Sequence, residues 1–441
     1  MPGSGGAQVQ PTCEYPERSV LRNGDTVGEL HLWWGIQLFC EHPESVRITR
    51  NGTEVPMADT WGIDRSTGLI LLRFLRKPIP DGQYQVTLSY QSTAPDVQFS
   101  FVQSDVVARF NAYGQFRGGA DVAAGDVDGD GRDEVITGAG PSGGPHVIIW
   151  KIGETGVIGA RPFVSFMAYA EGFRGGVHVA AGDVDGDGRD EVLTGPGPGG
   201  GPHVRIWKIP HGTTVVELGG FMAYTPGFAG GVDVDAADLI DGSEAEIITG
   251  AGPGGGPHVR VMRWSPGGFS ELTSFFPYDP RFPGGVNVSG LSGNTSTPKM
   301  GAVVTGAGGG GGPHVRFFYV FVDPQTGRPA NTNYDDPGFF AYDPGFRGGV
   351  DVATPRFFGA RYPSGGDTDQ VLTGAGPGGG PHVRTFSESC RGRCEMAGYF
   401  AWPTEQSGGV RVAGGNFTGD PLEDLVTVPA TGEALVEVRP F

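Results

Sequence analysis

The chain has 441 residues, of which 80 are Gly and 36 Pro, and its 31 basic and 49 acidic side chains give a formal charge of −18. Glycine far above the ordinary ~7% without a Gly-X-Y period excludes collagen, and 38% hydrophobic residues with regularly spaced aromatics excludes a disordered chain. So acidic a protein is a poor partner for nucleic acid and a good one for cations. With no apolar run of 18 residues, no transmembrane helix is expected.

The start, MPGSGGAQVQ, has neither a basic n-region nor an apolar h-region, so it is read as a mature N-terminus rather than a signal peptide. Cys13, Cys40, Cys390 and Cys394 form two separated pairs without CxxC spacing or a nearby His. Two disulfides, Cys13–Cys40 and Cys390–Cys394, are expected, and with them an oxidising compartment. SVRITRNGTEV places Asn-Gly between apolar strands, and LILLRFLRKPIPDGQYQVTLSYQS places Asp-Gly between alternating runs. Residues 1–103 are therefore expected to hold an immunoglobulin-like β-sandwich with one of Trp33 and Trp34 in its core.

From Phe110 the chain copies itself. Segments reading FNAYGQFRGGADV, FMAYAEGFRGGVHV, FMAYTPGFAGGVDV, FPYDPRFPGGVNV, FAYDPGFRGGVDV and FAWPTEQSGGVRV each lead a repeat. A second module, such as TGPGPGGGPHV, recurs around His146, His203, His258, His314 and His382 in steps of about 55–57 residues, then about 68. One repeat holds four strands: GGVHVAAGD, EVLTG, HVRIWKI and TVVELGGFMAY. Four short strands per unit make a propeller blade. Residues 104–441 are thus expected to form a six-bladed propeller, the alternative of seven needing a hidden extra repeat. The last repeat stops after its third strand, ALVEVRPF, and SDVVARFNAY before the first repeat is the expected donor of the missing fourth.

The loops between first and second strands carry the chemistry. DVDGDGRDE occurs twice, giving Asp126, Asp128, Asp130 and Glu134, then Asp183, Asp185, Asp187 and Glu191. Carboxylates at positions 1, 3, 5 and 9, with the carbonyls of Arg132 and Arg189 at position 7, form the oxygen shell of a Ca²⁺ site. An EF-hand would need an acid at position 12, where Thr137 and Thr194 stand. The third loop keeps Asp238 and Glu246, the fourth has no carboxylate, and the fifth is replaced by RFFGARYPSGGDTDQ. The sixth offers a weaker set: Asn416, Thr418, Asp420 and Asp424.

A DxDGDG loop between strands, followed by TGAGP, resembles the FG-GAP repeat of integrin α chains and bacterial surface proteins. The resemblance covers about residues 105–441 and implies a propeller, structural Ca²⁺ and an adhesive or scaffolding role. The five GGPHV histidines, with Arg205, Arg260, Arg316 and Arg384 two residues on, are expected to form a near-ring about the axis and to serve structure within each blade. The FxAY aromatics are read as inter-blade packing. Asn51, Asn287, Asn294 and Asn416 lie in N-x-S/T sequons. With no GxSxG, HExxH or P-loop, catalysis is not expected. These readings together predict a secreted or cell-surface, calcium-stabilised adhesion or surface-structural protein. Its partners would be proteins or like subunits, with glycan binding or a polysaccharide hydrolase or lyase as alternatives.

Overall fold

The computed structural model describes residues 107–441 apart from 153–159, 241, 243, 294–299, 324, 327, 333–335, 356–369, 388–393, 404–405, 418–423 and 441, together with the strand backbones within 21–103. The chain divides into two compact units, Met1–Asp105 and Val106–Phe441. The side chains of Cys13, Cys40, Cys390 and Cys394, those of Trp33 and Trp34, Thr418, Asp420 and the fifth-repeat insertion lie outside the described residues.

The leading unit holds two four-stranded antiparallel sheets. In one, Ser45–Arg50 turns through two residues into Thr53–Glu54, with Arg50 opposite Thr53, as the Asn-Gly pair predicts. The Asp-Gly segment behaves differently. Leu69–Phe74 pairs with Glu29–Trp33 and Met57–Asp64, whereas Gly82–Ser89 pairs with Ser45–Arg50 and Val97–Gln103. The two strands flanking Asp81-Gly82 thus belong to different sheets, because the intervening RKPIP is too long and Pro-rich for a two-residue hairpin.

The second unit is a six-bladed propeller of antiparallel sheets, four-stranded except for an extra strand in blade four. Blade two is representative: Val177–Gly182, Glu191–Pro196, His203–Lys208 and Val216–Met222 pair in chain order. The first strands of successive blades lie against one another round the ring, from Ala120–Gly125 to Val410–Gly415 and back. They therefore line the axis. Blade six is completed by Ala108–Asn111, which pairs with Leu435–Pro440 in a register placing Val436 opposite Phe110. Closure by the strand before the first repeat leaves the ring with no seam.

The core is a set of inter-blade layers. Each blade presents apolar residues to the next, as where Val204 and Ile206 of blade two meet Val232, Val234 and Ile247 of blade three. Second strands such as Glu191–Pro196 are buried along their whole length. Glycine sets the blade spacing. A Cβ on Gly195 would stand 2.2 Å from the Val232 carbonyl oxygen, and one on Gly138 2.3 Å from that of Val177. The TGAGP module thus marks where backbones of neighbouring blades touch.

Candidate metal centres in the blade loops

The first DVDGDGRDE loop joins Ala120–Gly125 to Glu134–Ala139. Gly129 and Gly131 have φ of 74° and 89°, a left-handed backbone that lets the loop curl over its first carboxylate. Asp126 Oδ1 accepts the N–H groups of Gly129 (2.7 Å) and Asp130 (3.0 Å), and its Oδ2 accepts that of Gly131 (2.8 Å). The second loop repeats this around Asp183, with Gly186, Asp187 and Gly188 as donors. Glu134 and Glu191 enter from buried strand ends and accept the N–H groups of Val127 and Val184.

The folded loops bring Asp126, Asp128 and Glu134 together with one ligand atom of each within 4.8 Å of the others, and likewise Asp183, Asp185 and Glu191. Asp130 and Asp187 sit at the rim, bound to Lys151 and Lys208. The sequence did not flag these lysines. Each lies in the last two residues of the third strand of its blade and folds back over the loop. Lys151 Nζ lies 2.5 Å from Asp128 and 3.4 Å from Glu134, and Lys208 repeats the contacts to Asp185 and Glu191. One ammonium faces three carboxyl groups and the first aspartate adds a fourth to the loop, so each loop keeps an excess of negative charge. Burial, then the neighbouring Asp128, pushes the Glu134 carboxyl up to about 8; burial and Asp185 push Glu191 up to about 7. Buried oxygens Asp128 Oδ1 and Asp185 Oδ1 find no hydrogen-bond donor. Unsatisfied buried anionic oxygens around a converging set of carboxylates fit a hard divalent cation.

The family model of the FG-GAP repeat matches residues 118–155, a stretch that contains this loop. The propeller is an FG-GAP β-propeller. A search of curated proteins by sequence finds no match. Among solved structures, rhamnogalacturonan lyase YesW aligns over 97% of this chain and 91% of its own, at 13% identity and a TM-score of 0.35. Bacillus licheniformis rhamnogalacturonan lyase PL11 aligns over 96% and 76%, at 14% identity and 0.35. Chaetomium thermophilum Sqt1 aligns over 77% and 98%, at 14% identity and 0.42. Likenesses of this degree carry no argument about activity.

The remaining FG-GAP loops depart from the first two. In the third, Leu239 and Ile240 are buried in the core, and Arg263 binds Glu246 Oε1 through Nε at 3.0 Å. A guanidinium thus stands where the first two blades have lysine, bound to the position 9 carboxylate. In the sixth loop the Asn416 backbone is bound to Asp133, and Asp424 is buried at its strand start. The acid at position 8 has a role that the sequence reading missed. Asp190 Oδ2 accepts the Asp126 N–H at 3.0 Å while the Asp190 N–H donates to Asp126 O, and Asp133 does the same to Asn416. Position 8 therefore clamps each of the first two loops to the loop of the preceding blade.

The GGPHV histidines stand round the axis but outside the channel. They begin third strands, or in blade three precede one, two strands out from the channel, because the first strands occupy the centre. His146 Nε2 meets Ser165 Oγ at 2.7 Å, and His314 Nε2 meets the Pro337 carbonyl at 2.7 Å, both within their own blades. The following arginines tie blades together. Arg205, Arg260, Arg316 and Arg384 donate to Ala168, Ala223, Pro277 and Ala341 carbonyls of the preceding blade. The FxAY tyrosines do likewise: Tyr169 Oη donates to the carbonyls of Thr194 and His203 at 2.8 Å. Asn287 faces the channel and donates to the Val350 carbonyl at 2.7 Å, so that sequon has its amide turned inward.

Proposed function

We propose that this chain is an extracellular binding scaffold whose FG-GAP propeller is stiffened by Ca²⁺ and presents its loops to protein partners at a cell surface. The observation that carries the calcium reading is the pair of converging carboxylate sets with orphaned buried oxygens. Asp126, Asp128, Asp130 and Glu134, with the Arg132 carbonyl, would hold one ion, and Asp183, Asp185, Asp187 and Glu191, with the Arg189 carbonyl, a second. A divalent ion supplies the charge that one lysine does not. Because position 8 links neighbouring loops, ordering one loop supports the next. The leading unit would act as an immunoglobulin-like spacer. Among the described residues no helix is long and apolar enough to cross a membrane. We assign binding rather than catalysis to the chain.

Calorimetric titration with Ca²⁺ and thermal melts in calcium and in chelator test this reading. Two sites and a lower Tm in chelator are expected. An unchanged melt with no heat of binding would sink it.

A second reading, glycan recognition, is favoured by one observation. Of the six exposed large hydrophobics among the described residues, five occupy a single repeat position: Met167, Met222, Phe276, Phe340 and Phe400. The three phenylalanines stack on His258, His314 and His382 at 4.5, 4.8 and 4.5 Å, leaving the far ring faces to solvent. Evenly repeated, backed aromatic faces suit a repeating ligand with apolar sugar faces. A glycan array discriminates, because reproducible binding to one sugar class that Phe340→Ala weakens favours this reading, and silence favours protein contacts.

A further inference from the structure

Within the repeated GGVxV strand, one position breaks the repeat. It reads Asp121, His178, Asp233, Asn287, Asp351 and Arg411 from blade one to blade six. These six side chains meet in the axial channel. Cavities of about 470 and 510 Å³ open on its two sides, both lined by Asp121, Asp233 and Asp351.

The six residues form a closed circuit. Asp121 Oδ2 accepts the Val179 N–H (3.0 Å), Asp233 Oδ2 that of Val288 (2.7 Å) and Asp351 Oδ2 that of Val412 (2.9 Å). Asn287 reaches the Val350 carbonyl. Arg411 binds Asp351 at 2.5 Å and faces Asp121 at 3.6 Å, closing blade six on blade one. Between blades two and three the link from this ring is His178, whose Nδ1 lies 3.3 Å from Asp121 and 3.5 Å from Asp233, facing Asp233 through charge alone. That joint is ionic, and its strength depends on the charge of the imidazole.

The balance of charge favours a proton. Three carboxylates face one guanidinium, so the collar is short of positive charge until His178 is charged. Arg347 lines one cavity, but its guanidinium is taken up by the Pro344 and Phe346 carbonyls, and Asp126, Asp133 and Asp190 at the other add carboxylates. Asp235, two residues along, adds a carboxylate held by Ser289 and the Gly290 N–H, and burial keeps Tyr113 and Tyr224 neutral. We propose that the axial collar is a proton-operated latch, in which charging His178 tightens the joint between blades two and three. An acidified surrounding would then stiffen the propeller, and a neutral or alkaline one would loosen it at one seam.

The pKa directions agree. Against burial, Asp121 and Asp233 hold His178 above its ordinary value, and burial pushes the Asp233 carboxyl up to about 7. The two titrate as a coupled pair. A raised histidine contributes stability that is complete below its unfolded value and lost as pH rises through the folded one. A raised carboxyl acts in the same sense, since its penalty grows as pH climbs from the unfolded value toward 7.

The test is Tm against pH from 5.5 to 8.5 for the whole chain in saturating Ca²⁺, compared between wild type, His178→Gln and Asp233→Asn. The wild-type Tm should gain ~2 °C per unit by which the His178 value is raised, and both variants should flatten this slope. NMR of the His178 ring in the wild type gives a readout independent of variant folding, with a midpoint above 6.5 expected. A midpoint at or below 6.5, or an unflattened slope in His178→Gln, overturns the latch.

Discussion

Removing the position 8 clamp isolates one joint of the propeller. In Asp190→Ala the Asp126 N–H loses its carboxylate acceptor at 3.0 Å, while the reverse backbone bond from Asp190 to Asp126 O stays. A hydrogen bond to a charged acceptor contributes ~1.5–3 kcal/mol. This one is half-buried, which places it at the lower end, ~1.5 kcal/mol. The propeller unit spans residues 106–441, and at ~2.1 cal/mol/K per residue the corresponding drop in Tm is ~2 °C. Asp190→Asn removes the same charge but keeps an acceptor oxygen, so it should recover much of the loss. Differential scanning calorimetry in saturating calcium reads both variants. Asp190 is not in the ligand set, so the number of calcium ions bound should stay the same. Equal destabilisation by Ala and Asn would mean that loop charge, not the clamp, is responsible. An Asp190→Ala melt indistinguishable from wild type would refute the clamp altogether.

Lys208→Met should raise calcium affinity in the second loop, because no ammonium then competes for Asp185 and Asp187, and should lower the Tm in chelator; calcium titration and melts report the two effects. Tyr224→Phe leaves the His258 carbonyl (2.8 Å) without its donor and Thr249 Oγ1 (3.2 Å) without its partner, and denaturant unfolding should show a loss of ~1–3 kcal/mol. Gly195→Ala drives a methyl into the Val232 carbonyl at the contact between blades two and three, and should exceed ~4 kcal/mol, seen as loss of soluble folded protein on gel filtration.

Much of this protein was legible before any coordinates. The repeat phase gave six blades, because GGVHV and TGPGPGGGPHV recur at fixed spacing and each strand shows its own alternation. The donor of the closing strand followed from a fourth strand missing at one end and a spare one at the other. The spacing of DVDGDGRDE also placed Asp126, Asp128 and Glu134 around one point, since a loop of that length with left-handed glycines has few ways to fold.

Other features depended on ring closure. Alternation told that Asp121, His178, Asp233, Asn287, Asp351 and Arg411 share one face of their strands, but not that this face is the axis. That depends on which strand of each blade is innermost. The same ignorance left open the radius at which the GGPHV histidines stand round the axis, two strands out. Asp133 and Asp190 look like calcium ligands in a list of acids, and only the neighbouring blade reveals them as clamps. Lys151 and Lys208 belong to strands remote in sequence from the loops that they cover. Those two lysines act within their own blades; for the others the sequence records the local period, while the partner across a blade interface or across the channel is set by the closing of the ring.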